Sequence, residues 1–359
     1  MRIAFVYNIA TEELLRERPE MTLRDCDSVE TIQAITAALE AGGHTVIGLN
    51  ADQRLPAILT EIQSQIDLVF NIATGVYGES RQTHVPAMCE YLRIPHTGSG
   101  VLAEAICHHK PPTKMILMAH GVPTPPFQVF RTGQEPIKRN LHFPMIVKLP
   151  SEGASMGLDY ESVVYNKVDL RQRIVRLIAE YQQGALVEEY IDGREFTVAV
   201  MGNRPPYALP VAEILFYGRV PIRLDEPDLE HFEMLKAVTG NPDLQYVPME
   251  SKSVAPADIM PDLAERIQRT AIAAYTAIGC QDWARVDVRM DKDGDIYILE
   301  VNLEPGVAPD YVFAKMAFAA GWTYTDLINR IVSHAAERYP HLSPNTLTVP
   351  TQQLALQPK

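Results

Sequence analysis

The sequence predicts a mixed α/β (α+β) protein that begins with a parallel β-sheet. Residues 2–7 (RIAFVY) read as a buried strand, residues 28–39 (SVETIQAITAAL) have apolar side chains at helical spacing, and residues 44–49 (HTVIGL) read as a second strand. This β-loop-α-β order makes the two strands parallel, because the helix carries the chain back along the sheet. Residues 67–70 (DLVF) supply a third strand, which runs into a glycine-containing loop at 71–78.

The rest of the chain predicts further strands and helices without an internal repeat. Prolines cluster around a helical stretch at 111–126, which indicates a domain junction. Residues 217–256 are rich in proline and charge and are interpreted as a long substrate loop, and residues 341–359 as a flexible tail. The other predicted strands are at 143–149, 185–189 and 195–201, and the other predicted helices are at 170–181, 263–278 and 324–338.

Composition and charge narrow the functional class. The chain has 359 residues, is 47% hydrophobic and has a formal net charge of −13, so it can bury a sizeable core in two or three domains. The acidic balance argues against nucleic acid or a membrane surface as a general partner. Four scattered cysteines, no signal-peptide pattern and no run of transmembrane length predict a cytoplasmic protein with reduced thiols.

The stretch RVDVRMDKDGDIYILEVNLEPG, residues 285–306, concentrates acidic side chains in what reads as two strands. Its Asp293-Gly294 pair predicts a two-residue type I′ hairpin turn, since both positions of that turn need positive φ. Asp291, Asp293 and Asp295 do not fit a calcium loop and are interpreted as solvated turn residues. The cross-strand pairs that follow from this turn are Asp287 with Glu300 and Arg285 with Asn302.

Strand alternation separates the two faces of this hairpin. Like charges directly opposite each other destabilise a sheet, whereas two carboxylates and an amide oxygen are hard ligands suited to magnesium bridging a substrate phosphate. An arginine beside them would stabilise an anionic oxygen. A solvated face whose acids only aid solubility is equally compatible with this segment. The apolar, core-facing set is Ala284, Val286, Val288, Met290, Tyr297, Leu299 and Val301, and the polar set is Arg285, Asp287, Glu300 and Asn302.

Two glycine motifs fit more than one chemistry. Residues 98–103 (GSGVLA) match the dinucleotide pattern G-x-G-x-x-A, but no good strand precedes them and no acid lies about twenty residues on, which favours a tight turn opening a helix. Residues 153–157 (GASMG) match the hydrolase pattern G-x-S-x-G with Ser155 as nucleophile, yet their flanks do not predict its strand and helix. A loop that offers backbone N–H groups to phosphate oxygens fits better, with Lys148 as a nearby point charge. A plain hairpin turn is the alternative.

A third segment, residues 186–197 (LVEEYIDGREFT), has an apolar strand, two acids, a turn and another acid. Its backbone and Glu188 are candidates to receive an adenine, and Glu195 is a candidate for the ribose hydroxyls. The alternative is the charged end of a hairpin. The ten histidines show no zinc-site spacing.

Taken together, the segments resemble the ATP-grasp superfamily and, within it, the D-alanine–D-alanine ligase family. The resemblance runs from residue 67 to about 338 and rests on an ordered set of stretches: HTGSGVLAEAICHHK, VPTPPF, FPMIVKLPSEGASMG, LVEEYIDGREFTVAV, IGCQDWARVDV and YILEVNLEPG. It implies an ATP-grasp fold with an N-terminal parallel-sheet (pre-ATP-grasp) domain. The implied divisions are 1–108 for the N-terminal substrate-side domain, 109–190 for the central lid, 191–340 for the C-terminal metal and catalytic domain, and 341–359 for the tail.

The resemblance also implies roles for individual residues. Members of the family phosphorylate a carboxylate or related oxygen with ATP and then let an amine displace the phosphate. The implied catalytic residues are Arg285, Lys148 and Ser155. The implied ligands of two magnesium ions are Asp287, Glu300 and Asn302. The implied ATP-binding residues are Lys110, Lys148, Glu152, Gly153, Ser155, Glu188, Glu189, Tyr190, Ile191, Glu195, Leu299 and Glu300.

The substrate side departs from the family pattern. Dipeptide ligases of the family hold the first D-alanine's ammonium with a glutamate after the first strand, but YNIATEELL offers no convincing equivalent. The serine partner of that glutamate is replaced by Ala154, and residues 217–256 show no clear match to the tyrosine-bearing flap. A Ser-Leu pair for the second substrate is replaced by Tyr311-Val312. The substrate-side candidates are Glu304, Gly306, Asp310 and Tyr311.

These observations predict an ATP- and magnesium-dependent ligase that joins an acceptor to the amine of a small amino acid. The altered substrate side favours a specialised small-molecule pathway. By analogy within the family, the expected case is the branch that attaches serine or threonine to mycosporine-glycine, and the alternative is a true cell-wall D-alanine–D-alanine ligase. The alternatives from other classes are a serine hydrolase using Ser155 and a non-catalytic ATP sensor. The partners expected are small-molecule substrates and a second copy of the chain in a homodimer.

Overall fold

The computed structural model describes residues 1–17, 26–153, 155–159, 161–216 and 251–342. Within these ranges the chain forms three β-sheets with helices packed on them. The strands are β1 Arg2–Tyr7, β2 Thr45–Asn50, β3 Leu68–Asn71, β4 Phe127–Phe130, β5 Met145–Lys148, β6 Val163–Val164, β7 Ala185–Glu189, β8 Gly193–Met201, β9 Tyr207–Ala208, β10 Ala212–Phe216, β11 Ser251–Val254, β12 Trp283–Asp291 and β13 Ile296–Asn302. The helices are α1 Glu12–Glu17, α2 Val29–Ala41, α3 Leu55–Ile62, α4 His84–Leu92, α5 Val101–His108, α6 Lys110–Ala119, α7 Lys167–Tyr181, α8 Pro261–Ile278, α9 Val312–Ala319 and α10 Tyr324–Glu337.

The N-terminal sheet is parallel, with the strand order β2-β1-β3. Ser28 begins α2 as its N-cap, because its hydroxyl accepts a hydrogen bond from Thr31 N at 3.2 Å. The helix ends at Gly42, from which the chain enters β2. The predicted β-loop-α-β unit is therefore confirmed, and its central strand β1 is flanked by a parallel neighbour on each side.

The middle sheet is antiparallel, with the order β4-β7-β5-β6. Met145 and Val147 of β5 belong to the core that this sheet shares with α7. Because side chains alternate along a strand, Lys148 points to the opposite face, and the same alternation on β7 places Glu188 there as well. This sheet therefore presents a polar face away from its own core.

The C-terminal sheet has the order β11-β10-β8-β12-β13, with β9 attached to β8. Its strands are antiparallel, and β12 lies between β8 and β13. Helices α5, α6 and α8 contribute Ala103, Leu117 and Ile267 to the core on one face of the sheet. The strand carrying Arg285 and Asp287 is thus held by a neighbouring strand on each side.

The N-terminal and C-terminal sheets share one hydrophobic core. Phe5 and Phe70 of the first sheet lie in the same buried cluster as Trp283 of β12 and Phe313 of α9. The ring centroids of Trp283 and Phe313 are 5.4 Å apart, edge to face. Helix α10 adds Ile328 and its neighbours to this cluster. The chain divisions at 108, 190 and 340 stay a prediction. The predicted loop at 217–256 is wrong at its described end, because Ser251–Val254 form β11, which pairs with β10. Residues 217–250 and 343–359 lie outside the described residues.

The GSG segment at 98–100 forms a tight turn that opens a helix, as favoured by the sequence. Gly98 has a φ of +84°, and α5 begins at Val101. The backbone N–H of Gly98 donates to Asp282 Oδ2 at 2.9 Å, and Arg338 binds the same carboxylate at 2.7 Å. The turn is therefore fastened to the start of β12 and to the end of α10.

Candidate active site

Arg285, Asp287, Glu300 and Asn302 form one polar cluster on the β12–β13 hairpin. The two pairs predicted from the sequence are present, since Arg285 lies opposite Asn302 and Asp287 opposite Glu300. Arg285 Nη2 is 2.9 Å from Asp287 Oδ2. Asn302 Nδ2 is 3.0 Å from Asp287 Oδ2 and 3.3 Å from Glu300 Oε1. Asp287 is 6% exposed, so this face is not a solvated surface, and that alternative is wrong.

Thr197 completes the cluster and was missed by sequence reasoning. It lies directly opposite Asp287 on β8, and its hydroxyl donates to Asp287 Oδ1 at 2.6 Å. Thr197 is fully buried. The alternation along 195–201 was the available signal, because it places Glu195, Thr197 and Ala199 on one face.

The hairpin turn differs from the predicted two-residue type I′ turn. The strands end at Asp291 and begin again at Ile296. Gly294 N donates to Asp291 O at 3.2 Å, and Asp291 N donates to Asp295 O at 3.0 Å. Gly294 has a φ of +86°, whereas Asp293 is not among the residues with positive φ. The connection is therefore a three-residue loop with glycine in the left-handed position, a common alternative to the type I′ turn.

A β-bulge at Leu299 compensates for the longer turn. Asp287 pairs with Glu300, but the next residue, Val288, pairs with Ile298, so Leu299 is the extra residue of β13. The longer turn overturns part of the predicted core face, because it shifts the residues between the turn and the bulge by one position. Ile296 and Ile298 are buried in the sheet's core instead of Tyr297 and Leu299. Leu299 therefore lies outside that core, which is compatible with its predicted position beside a nucleotide.

Lys110 extends the cluster from the N-terminus of α6. Its ammonium is 3.5 Å from Glu300 Oε2 and also donates to the backbone carbonyl of Glu152. Burial raises the pKa of the Glu300 carboxyl, but the charges of Lys110, Lys148 and Arg285 and the Asn302 amide outweigh burial and lower it to about 2. Glu300 is therefore an anion at neutral pH, surrounded by cations suited to phosphate oxygens.

Lys148 belongs to a buried group of charges that sequence reasoning only half identified. Its ammonium is 2.7 Å from Glu188 Oε2, and Lys114 Nζ is 2.9 Å from Glu188 Oε1. Lys114 also donates to Thr124 Oγ1, whose hydroxyl donates to Ile298 O at 2.8 Å. The carboxylate of Glu188 is thus bound by two lysines, and its adenine-receiving role stays a prediction.

The loop at 152–157 is fastened at its base. The Glu152 carboxylate is 3.3 Å from Arg81 Nη1 and accepts from Gln183 Nε2 at 2.6 Å. Gly153 O accepts from Met156 N at 3.0 Å, and a Cβ on Gly153 would meet nothing within 4 Å. The loop therefore rests on side chains at one end and has open space at its glycine, as a phosphate-covering loop requires.

Ser155 does not sit on a nucleophile elbow. It is followed by a turn and the two-residue strand β6 rather than by a helix. The hydrolase motif needs a strand directly before the serine and a helix directly after it. The alternative of a serine hydrolase using Ser155 is therefore wrong on geometry.

The segment between β7 and β8 carries the remaining nucleotide candidates. Glu189 accepts hydrogen bonds from His142 N at 2.7 Å and from His142 Nδ1 at 2.8 Å. Glu195 Oε2 is 2.9 Å from Arg289 Nε, and Ile191 O accepts from Arg289 Nη1 at 2.8 Å. Arg289 was not a sequence candidate, although it contacts two residues that were.

The substrate-side candidates follow β13 directly. Glu304 Oε1 accepts from Asn71 Nδ2 at 2.9 Å, which ties the loop to the end of β3. Burial, with the charge of Glu104 added, raises the pKa of the Glu304 carboxyl. Gly306 lies under the ring of Tyr311, because a Cβ there would be 2.5 Å from a ring carbon. Asp310 and Tyr311 are exposed at the start of α9.

A cavity of about 780 Å³ lies at the carboxyl edge of the N-terminal sheet. It is bounded by the segments that follow β1, β2 and β3 and by α4. Ligands of open parallel sheets commonly bind at this edge. Polar residues that line it include Asn8, Glu13, Asp52, Arg54, Tyr77 and His84.

The described residues contain no group of three or more His, Cys, Asp or Glu side chains placed to hold a metal ion. An ion at Asp287 and Glu300 would therefore need Asn302, substrate oxygens or water as further ligands. Among the described helices, none combines the length and the apolar character that crossing a bilayer requires.

Comparisons with known proteins agree with this geometry. Residues 116–333 match the family model described as the D-ala D-ala ligase C-terminus. An uncharacterized protein of Sinorhizobium fredii is 34% identical over 320 residues, covering 85% of this chain and 87% of that protein. A D-alanine–D-alanine ligase of Carboxydothermus hydrogenoformans is 32% identical over 314 residues, covering 85% and 92%.

Solved structures show the same architecture. A crystal structure of D-alanine–D-alanine ligase from Bacillus anthracis superposes with a TM-score of 0.72 at 25% identity, covering 96% of this chain and all of that one. The VanG D-Ala:D-Ser ligase of Enterococcus faecalis gives a TM-score of 0.68 at 21% identity, covering 93% and 99%, which supports the fold alone. Together with the relatives, these matches show that the chain belongs to the D-alanine–D-alanine ligase-like family of ATP-grasp enzymes and is an ATP-dependent, ADP-forming ligase.

Proposed function

We propose that this ligase uses Mg-ATP to phosphorylate an acceptor carboxylate, or a related oxygen, and joins the acceptor to the amine of a small amino acid. The observation that carries the proposal is the convergence of Arg285, Asp287, Glu300 and Asn302 with the ammonium of Lys110, 3.5 Å from Glu300. Acids next to cations match the needs of a bound metal–phosphate complex.

Asp287, Glu300 and Asn302 fit magnesium by their chemistry. Their polar heads are joined by hydrogen bonds of 3.0 and 3.3 Å through the Asn302 amide, so an ion drawn to one carboxylate would be within reach of the others. Two carboxylates and an amide oxygen are hard ligands of the kind magnesium accepts. When bound, magnesium would neutralise charge on the phosphate oxygens; we propose two ions.

The chain's own residues would perform the rest of the reaction. Lys110 and Lys148 would bind phosphate oxygens as point charges, with the 152–157 loop, including Ser155, donating backbone N–H groups. An acceptor oxygen would attack the γ-phosphorus and break its bond to the bridging oxygen, which releases ADP. The amine would then attack the activated carbon, lose a proton and expel phosphate, while Arg285 stabilises the developing oxyanion.

The acceptor is proposed to be larger than alanine. The cavity of about 780 Å³ beside the N-terminal sheet has the size of a site for a drug-like molecule. Tyr311 also covers Gly306, which follows β13. These features favour a specialised acceptor, and we propose serine or threonine ligation to mycosporine-glycine as the specific case, with Glu304, Asp310 and Tyr311 on the substrate side.

A second candidate is D-alanine–D-alanine ligation for the cell wall. It is favoured by several relatives of 31–33% identity that carry the name D-alanine–D-alanine ligase. A competition assay distinguishes the two: purified protein is incubated with Mg-ATP, D-alanine, L-serine, L-threonine and mycosporine-glycine, and products are identified by mass. A mycosporine adduct supports the first candidate, and D-alanyl-D-alanine alone supports the second.

We further propose a cytoplasmic homodimer as the working form. Light scattering after size-exclusion chromatography gives the mass of the particle directly. A mass near twice 40.1 kDa supports the dimer, whereas a mass equal to that of one chain would contradict it.

A further inference from the structure

Arg289 is a buried arginine that the reaction steps above do not use. It lies on β12 two residues after Asp287, and therefore on the same face of the strand. Its side chain is about 4% exposed. Its direct cross-strand neighbours are Glu195 on β8 and Tyr297 on β13. The residue thus occupies the face of the hairpin that carries the proposed metal and nucleotide residues.

The guanidinium joins three residues of the predicted nucleotide set. Arg289 Nε is 2.9 Å from Glu195 Oε2, and Nη1 donates to the backbone carbonyl of Ile191 at 2.8 Å. The guanidinium carbon lies 4.9 Å from the ring centroid of Tyr190 and 5.6 Å from that of Phe216. Arginine is suited to such a role, because its planar group donates in several fixed directions and stacks on aromatic rings.

These contacts restrict how Glu195 can present its carboxylate. The Glu195 side chain is 7% exposed, so it has little water to compensate its charge, and Arg289 supplies that compensation. A carboxylate has about four acceptor positions, so one that is paired with arginine still accepts hydrogen bonds from a hydroxyl donor. The link to Ile191 couples this orientation to the segment between β7 and β8.

We propose that Arg289 is a positioning residue for the nucleotide sugar. Its guanidinium holds both the Glu195 carboxylate and the Ile191 carbonyl, and so directs the carboxylate to the ribose hydroxyls. The site therefore selects ribonucleotides over deoxyribonucleotides. The inference rests on the proposed assignment of Glu195 to the ribose. It adds a sugar-specificity role for a side chain that has no part in the reaction steps proposed above.

The test compares ATP with 2′-deoxy-ATP and 3′-deoxy-ATP on each protein. We expect wild-type kcat/KM to fall about 10- to 100-fold for at least one deoxynucleotide, the loss typical of a hydrogen bond to a charged group. Arg289→Met is expected to raise KM for ATP at least about tenfold, to change kcat little and to bring the ribose preference close to one. Because the preference is a ratio within one preparation, a reduced folded fraction does not alter it.

Two further variants make the result independent of folding. Arg289→Lys keeps a positive charge beside Glu195 but loses the planar donor pair. It is therefore expected to fold and to show an intermediate ribose preference. This variant provides the test if Arg289→Met does not fold. Arg194→Met is the matched control, because Arg194 is the adjacent residue to Glu195 on β8, pairs with Glu213 at 2.7 Å and is 41% exposed. Its ribose preference is expected to equal that of the wild type.

The outcomes separate this inference from the proposed function. A lost preference in Arg289→Met or a reduced one in Arg289→Lys, with retention in Arg194→Met, supports the inference. An unchanged preference in Arg289→Met or Arg289→Lys overturns it, as does a wild-type enzyme that turns over all three nucleotides equally, although Mg-ATP ligation then still holds. Failure of the wild type to bind any of the nucleotides by calorimetry contradicts the nucleotide site itself.

Discussion

Lys114 and Lys148 bind opposite oxygens of the same buried carboxylate. The ammonium groups lie 2.9 and 2.7 Å from Glu188 Oε1 and Oε2, and the side chains of Lys114 and Glu188 are each 1% exposed. Lys148 is the lysine proposed to meet phosphate, so its position depends on a partner from β7 and a second lysine from α6. Three charges that share so little water depend strongly on each other.

Replacing Glu188 with glutamine is expected to destabilise the protein by about 3–5 kcal/mol, because two lysines then lose their counter-charge. Urea denaturation followed by circular dichroism measures this difference. Glu189→Gln is the matched control, since its partner His142 is 75% exposed and exposed pairs contribute about 1 kcal/mol or less. Equal effects of the two substitutions would show that the buried charges are not coupled.

Stability is expected to depend on pH through Lys114. Burial lowers the pKa of this lysine from 10.5 to about 8, against the opposing charge of Glu188. Between those two values the unfolded chain binds more protons than the folded chain, so the free energy of unfolding rises with pH by up to about 1.4 kcal/mol per unit. Below pH 8 this contribution is constant.

The measurement is urea denaturation at pH 7.5, 8.5 and 9.5, for the wild type and Lys114→Met. The variant lacks the titrating group and is expected to lack the added rise in stability above pH 8. Lys167→Met, at an exposed position on α7, serves as a control that should follow the wild type. Parallel curves for the wild type and Lys114→Met would exclude this source of pH dependence.

Asp287 and Asp291 lie on the same strand but are expected to behave differently. Asp287→Asn should weaken binding of a magnesium complex of a non-hydrolysable ATP analogue at least about tenfold, since the proposed magnesium site loses one negative charge. Asp291→Asn should bind normally, because Asp291 accepts hydrogen bonds from the backbone of Asp293 and Asp295 in the turn and asparagine keeps an acceptor. Calorimetry with and without magnesium measures both, and equal affinities for the two variants would remove Asp287 from the metal site.

Thr197→Val is expected to lower kcat about 10- to 100-fold with a smaller effect on KM. The substitution keeps the shape of the buried side chain but removes the 2.6 Å hydrogen bond to Asp287, and such a bond is worth about 1.5–3 kcal/mol when one partner is charged. Thr197→Ser keeps the hydroxyl and should retain most activity. Initial rates at saturating ATP decide the matter, and a fully active valine variant would make Thr197 a packing residue only.

Apolar patterning predicted the three strands of the N-terminal sheet and the polar cluster on the β12–β13 hairpin, but not the strands β4, β6, β9, β10 and β11. The pairing of Asp287 with Glu300 is correct, however, only because two departures cancel. The three-residue turn shifts the register by one residue, and the bulge at Leu299 shifts it back. A sequence pattern with a period of two cannot show a bulge in advance, because the extra residue is an ordinary leucine.

The residues near the candidate site that the sequence did not identify were missed for one physical reason. Lys114, Thr197 and Arg289 act through partners that are distant in the chain, Glu188, Asp287 and Glu195. A sequence identifies polar residues within apolar segments, but not which buried charge compensates which. The sequence shows Lys114 and Arg289 as charged residues within a predicted helix and a predicted strand. It does not indicate which residues pair with them.

The most direct test of the account measures ADP formed by purified protein with Mg-ATP and a mixture of candidate acceptors and amino acids, with the joined product identified by mass. We expect ADP and product in equal amounts from the wild type and Asp291→Asn, and neither from Asp287→Asn or Glu300→Gln. Ligation that continues undiminished in Asp287→Asn and Glu300→Gln would contradict the assignment of the hairpin face to catalysis.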